Sequence, residues 1–200
     1  MNTYLRGTKT EYECVAKFLE LGYMVSLPVS HFAIYDMVVD IGSSILIKIQ
    51  CKSSHATSGG FSFNCTSTRI NTKCASVHKY NNDEVNYIAT VFDNVLYLVS
   101  IDECDSEKTL RTEIPKNLQT TNIQWSVNYE ADYVISKLLG QDKKPRIDMD
   151  QELQKIKYKI TPQLDPDYTY KYRWITNGHE NRQFYGNLDN IPAGFHLGRC

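Results

Sequence analysis

Apolar positions in the first third of the chain recur with two different periods. Over residues 8–21 they fall at Tyr12, Val15, Ala16 and Leu19, a spacing of i, i+3, i+4 and i+7 that predicts an amphipathic helix, with Gly22 as its stop. The stripe needs something to pack on. Residues 23–27 read as a short strand ended by Pro28, and a polar turn leads into a second strand over 33–40. Gly42, Ser43 and Ser44 turn the chain into residues 45–52, where the period becomes two. Ile45, Ile47, Ile49 and Cys51 share one face, and Leu46, Lys48, Gln50 and Lys52 share the other.

Beyond a Ser/Gly loop at 53–60 the pattern fades into a polar, mildly basic stretch that carries Arg69, Lys73 and Lys79 and predicts no definite element. It returns over 85–92 and 95–101, two apolar runs joined by Asp93-Asn94, a pair that tolerates the positive φ angles of a tight hairpin turn. Residues 130–139, closed by Gly140, predict a last helix. Helix, three strands, irregular segment, hairpin and helix together predict an α/β (α+β) core, a central mixed sheet flanked by helices, over residues 1–140. Residues 141–152 read as a charged linker. Residues 153–200, rich in Tyr and Trp but poor in aliphatics, read as a small C-terminal extension. Its aromatics interleave with Lys171, Arg173, Arg182 and Arg199. They are suited either to stacking on a nucleic acid or to packing against the main domain.

Composition narrows the class. Of the 200 residues, 42% are hydrophobic and 22% charged, as in ordinary globular chains. No apolar run approaches the roughly 20 residues that span a bilayer, and the start lacks the apolar region of a signal peptide, so a cytoplasmic protein with no membrane role is expected. Six scattered cysteines without a CxxC pair predict free thiols rather than zinc ligands. The five histidines show no ligand spacing either. A net charge of −1 requires any phosphate contacts to come from local patches.

Candidate chemistry converges on the two central strands. Asp36 lies on one and Gln50 on the next, and Lys52, two residues on, shares Gln50's face. A carboxylate and a carbonyl oxygen suit a hard divalent cation. A lysine beside them orients water or offsets charge at a phosphate. Glu11 offers a second carboxylate, but Thr8-x-x-Glu11 is also a capping box, and spacing leaves both readings open. Asp36 read alone also fits a partly buried structural carboxylate paired with a lysine. Asp40, beside the turn, reads as a turn residue.

These residues carry a resemblance. A Glu opening the first helix, Tyr35-Asp36 before an apolar run, Gln50-x-Lys52 ending the next strand, and the later hairpin resemble the group I intron-associated and phage homing endonucleases of the PD-(D/E)XK superfamily, over about residues 5–103. The resemblance implies a restriction-endonuclease-like core and a phosphodiester hydrolase that makes double-strand breaks in DNA. It implies Glu11, Asp36, Gln50 and Lys52 as the catalytic set, with the first three on Mg²⁺, for which Mn²⁺ can substitute. No nucleotide cofactor is implied. Gln50 stands where the superfamily usually has a second acid. One active site per chain implies a homodimer or homotetramer. Residues 174–199 also look like a tail found on several phage homing endonucleases. Ser53, Ser54, Arg69, Lys79, Arg173 and Arg182 are the candidate contacts to double-stranded DNA. A junction resolvase or repair nuclease, an inactive DNA-binding module and an unrelated α/β protein are the competing readings.

Overall fold

The computed structural model describes residues 2–30, 32–70, 75–115, 121–141, 143–160, 173–176, 181–184, 193 and 196–197. The chain forms two compact units, residues 1–154 and 155–200.

The first unit opens with helix α1 (Thr3–Glu20), capped by Asn2, whose side chain accepts the Tyr4 N–H at 3.0 Å. The helix therefore begins five residues before the predicted start. Its buried face is also not the predicted one: Cys14 and Phe18 are fully buried and Thr10 nearly so, while Tyr12 and Leu19 are exposed. Both faces of α1 are apolar, so periodicity alone found the wrong one.

Five strands form the central sheet in the order β1 (Met24–Ser26), β2 (Met37–Asp40), β3 (Leu46–Cys51), β8 (Tyr87–Phe92), β9 (Val95–Ser100). Every pair is antiparallel except β3–β8. In β3 the inward residues Ile47, Ile49 and Cys51 are buried, as the alternation requires. The β8–β9 turn places Asp93 and Asn94 at φ 47° and 64°, the geometry expected of that pair. Helix α2 (Ala131–Leu138) follows, with Gly140 at φ 68° beyond it. One face of the sheet packs against α1 and α2 through Phe18, Val39, Ile49, Leu98 and Ile135.

The parallel β3–β8 link needs a crossover, and strands supply it. The loop expected at 53–60 and the unassigned stretch after it hold β4 (His55–Thr57), β5 (Gly60–Asn64), β6 (Thr66–Ile70) and β7 (Ala75–Lys79). β5 was illegible because Gly60, Phe61, Ser62 and Phe63 are all buried, leaving no alternation to read. It pairs with β4 and with β10 (Glu107–Arg111) in a small sheet. That sheet closes a second core in which Phe61, Phe63 and Leu110 meet Ile88, Tyr97 and Val99. Gly60 is required there, since any Cβ would run into the Leu110 carbonyl. β6 and β7 pair with each other as a separate hairpin.

Helix α3 (Met149–Ile160) starts within the segment read as a linker. Asp150 accepts the Trp125 indole N–H at 2.9 Å, and Leu153 is buried. In the second unit, β11 (Arg173–Thr176) pairs with β12 (Asn181–Phe184) and with β13 (His196–Leu197). Much of the predicted tail lies outside the described residues.

Candidate active site

Asp36 sits one residue before β2, and its backbone N–H bonds to the Ile49 carbonyl at 2.9 Å. Extending the Met37–Ile49 register by one position sets it opposite Gln50. The side chains meet there: Gln50 Nε2 donates to Asp36 Oδ2 at 2.6 Å, and the Cys51 backbone N–H donates to the same oxygen at 2.7 Å.

Asp36 is nonetheless hard to ionise. Burial pushes its pKa from 3.8 up to about 6. The Cys51 N–H opposes that, the nearby Glu11 charge reinforces it, and Lys52 and the Gln50 amide pull it back. Burial thus outweighs two hydrogen bonds and a lysine.

Glu11 reaches this place because α1 is fastened to β3 on both sides of it. Thr10 Oγ1 and Ser53 Oγ lie 2.7 Å apart, and the buried Cys14 and Cys51 thiols share a hydrogen bond that raises the Cys51 pKa. Glu11 stands well inside the helix, in its third turn, so the capping-box reading fails. Asn2 is the cap. Asp40 caps its own turn by accepting the Gly42 N–H at 2.9 Å.

Lys52 leaves β3 on Gln50's face and is held by the β6–β7 hairpin. Its ammonium donates to the Thr66 carbonyl and to Tyr80 Oη, each at 3.0 Å, and lies 5.0 Å from the Tyr80 ring centroid. An ammonium has three donors, so one remains beyond these two, beside the cleft that Tyr80 shares with Asp36 and Gln50. That cleft, about 470 Å³, is lined by Ala33, Ile34, Asp36 and Gln50 and by Ser67, Ser76, Val77, His78 and Tyr80. His78 Nε2 lies 2.9 Å from Glu84 Oε2, and its ring meets Tyr80 edge-on at 5.4 Å.

Tyr80 and His78 escaped the sequence reading. Nothing local marks them: Tyr80 is 28 residues from Lys52, and only the Ser76, His78, Tyr80 alternation hints at a shared face.

The remaining candidates are placed unevenly. Ser53 is engaged with Thr10, and Ser54 donates to the Val91 carbonyl at 2.8 Å, so both brace β3. Lys79 is exposed, 3.5 Å from Asp105, and does not line the cleft. Arg69 pairs in register with Ser76 on the cleft hairpin. Arg173 and Arg182 lie on β11 and β12 of the second unit.

The donor set fits a hard divalent cation, with carboxylate oxygens from Asp36 and Glu11 and a carboxamide oxygen from Gln50. Among the described residues no three His, Cys, Asp or Glu side chains group as a metal site, and the third donor of the candidate set is the Gln50 amide oxygen.

The sequence profile of PD-(D/E)XK endonucleases matches residues 1–132. The chain belongs to that family. The fold is similar to the solved structure of a bacterial homing endonuclease, I-Ssp6803I, with a TM-score of 0.56, 22% identity, and coverage of 72% of this chain and 100% of that one. No curated protein matches the chain. As a PD-(D/E)XK endonuclease it has a mixed central sheet flanked by helices α1 and α2. None of its described helices is long and apolar enough to cross a membrane.

Proposed function

We propose that this PD-(D/E)XK endonuclease is a Mg²⁺-dependent, site-specific DNA nuclease of the homing type, working in the cytoplasm as a homo-oligomer, with Mn²⁺ able to replace Mg²⁺. The observation that carries the proposal is the buried Asp36 carboxylate bonded to Gln50 in a cleft whose lining residue Tyr80 holds the Lys52 ammonium.

Asp36, Glu11 and the Gln50 carbonyl would hold the cation. When bound, it binds the scissile phosphate and lowers the pKa of attacking water. Lys52, fixed at two donors, keeps a third with which it would orient water and offset charge developing on the phosphate. Thr10, Ser53 and the Cys14–Cys51 contact keep Glu11 in place. Arg69 on the cleft hairpin and Lys79 beside it are proposed phosphate contacts, joined by Arg173 and Arg182 of the second unit. Ser53 and Ser54 contribute by bracing the catalytic strand.

Gln50 leaves the site one negative charge short of two strand acids plus Glu11. A catalytically silent DNA-binding module is therefore the second reading. Cleavage of a randomised duplex library with Mg²⁺, followed by sequencing of the ends, tests the proposal. It expects one long consensus at the cut ends. Cutting only branched DNA points to a junction resolvase, and binding without cutting points to the silent module.

A further inference from the structure

Helix α1 carries two apolar stripes on opposite sides. Thr10, Cys14 and Phe18 face the core. Leu5, Tyr12 and Leu19 are 57%, 63% and 52% exposed. Spaced seven apart, they return to one line within about 20° per heptad, and that line lies diametrically opposite Cys14. Thr8 and Ala16, both small, fall between them on the same face. An outward apolar stripe this exposed is unusual on a helix whose other stripe already builds the core.

The charges beside the stripe are ordered. On one flank Arg6 and Lys9 stand in the N-terminal half, and Glu13 and Glu20 with the less exposed Lys17 in the C-terminal half. Within the chain Lys9 lies 3.1 Å from Glu13, and Glu20 is met by Lys17 at 2.7 Å. A parallel pair of such helices would set Lys9 against Lys9 and Glu13 against Glu13. An antiparallel pair sets the basic half against the acidic half.

We propose that α1 is a self-association surface on which a second copy of this chain packs antiparallel about a twofold axis through Tyr12. The sequence matches that symmetry. Leu5 and Leu19 are equidistant from Tyr12, so each leucine packs on the other type across the axis, Thr8 faces Ala16, and Tyr12 meets itself. Arg6 and Lys9 lie against Glu20 and Glu13 of the partner subunit. The helix is about 27 Å long at 1.5 Å per residue, so the contact falls at the small end of specific interfaces and the dimer is reversible. Glu11 is next to Tyr12 in sequence, so the pairing joins two catalytic helices directly. Its use in cutting both DNA strands rests on the nuclease reading, whereas the pairing itself rests on α1 alone.

Crosslinking and sedimentation test it. In a Cys74→Ser, Cys200→Ser background, Tyr12→Cys should oxidise to a covalent dimer and Leu5→Cys should not. Leu5→Cys combined with Leu19→Cys should. Leu19→Glu should weaken association about tenfold or more with an unchanged circular dichroism spectrum. Lys9→Glu should weaken it as well, and Lys9→Glu with Glu13→Lys should restore it. A wild-type chain that stays monomeric at about 100 µM, well above the micromolar range of weak dimers, a dimer indifferent to Leu19→Glu, or self-crosslinking through Leu5→Cys overturns the pairing. Plasmid cleavage read beside these assays separates the two claims. Dimerisation without cutting sinks the nuclease reading alone, and cutting without dimerisation sinks the pairing alone.

Discussion

Gln50 Nε2 and Asp36 Oδ2 are 2.6 Å apart, so a neutral amide satisfies the acid that a second carboxylate would repel. The family's alternative, an acid at position 50, would leave two like charges on adjacent strands in need of a cation.

Gln50→Glu should therefore raise divalent-cation affinity. Each tenfold gain corresponds to about 1.4 kcal/mol, and one added anionic ligand should supply at least that much above pH 7. Titration calorimetry with Mg²⁺ and Mn²⁺ measures it. Equal affinity in both proteins would show that position 50 does not face the cation.

The raised Asp36 pKa sets a pH dependence. Its folded value, about 6, lies above the ordinary 3.8, so folding favours the protonated acid. That contribution is complete below about pH 4 and is lost as pH rises through 6. The full shift is worth at most about 3 kcal/mol, and roughly half that for a partly solvated group. Between pH 4 and 7 the cation-free wild type should lose a few degrees of Tm relative to Asp36→Asn. Mg²⁺ at pH 7.5 should restore the wild type and leave Asp36→Asn unmoved. Parallel melting curves across the range would contradict the assignment.

The Lys52–Tyr80 contact predicts a selective kinetic defect. Tyr80→Phe keeps the buried ring and removes one bond to a charged group, worth about 1.5 kcal/mol or more. It should lower kcat about tenfold with little change in KM, because the phenol acts through Lys52. A pure KM effect in steady-state cleavage would assign Tyr80 to DNA binding instead.

The corrected face of α1 has its own consequence. Phe18→Ala removes a fully buried ring and should cost about 3–5 kcal/mol in urea titrations of monomeric protein. Leu19→Ala, on the exposed face, should stay within about 0.5 kcal/mol under the same conditions.

Legibility in the sequence followed the locality of the interactions. Asp36, Gln50 and Lys52 were readable because a short turn joins β2 to β3 and a two-residue step keeps Gln50 and Lys52 on one face. The β8–β9 hairpin was readable through Asp93-Asn94. α1 was legible as a helix but not in its buried face or its cap. A second apolar stripe drew the pattern away from Cys14 and Phe18, and Thr8-x-x-Glu11 imitated a cap although Asn2 already supplies one. The β6–β7 hairpin, and with it Tyr80 and His78, was lost because it faces the site only through tertiary pairing. β5 offered no alternation, being covered on both sides.

Cleavage of supercoiled plasmid by the wild type, Asp36→Ala and Lys52→Ala, with Mg²⁺ or with EDTA, tests the central claim most directly. The account predicts nicking or linearisation by the wild type in Mg²⁺ alone, and at least about a hundredfold loss in each variant. Cutting that survives EDTA, or survives either substitution, would contradict an active site built on Asp36 and Lys52.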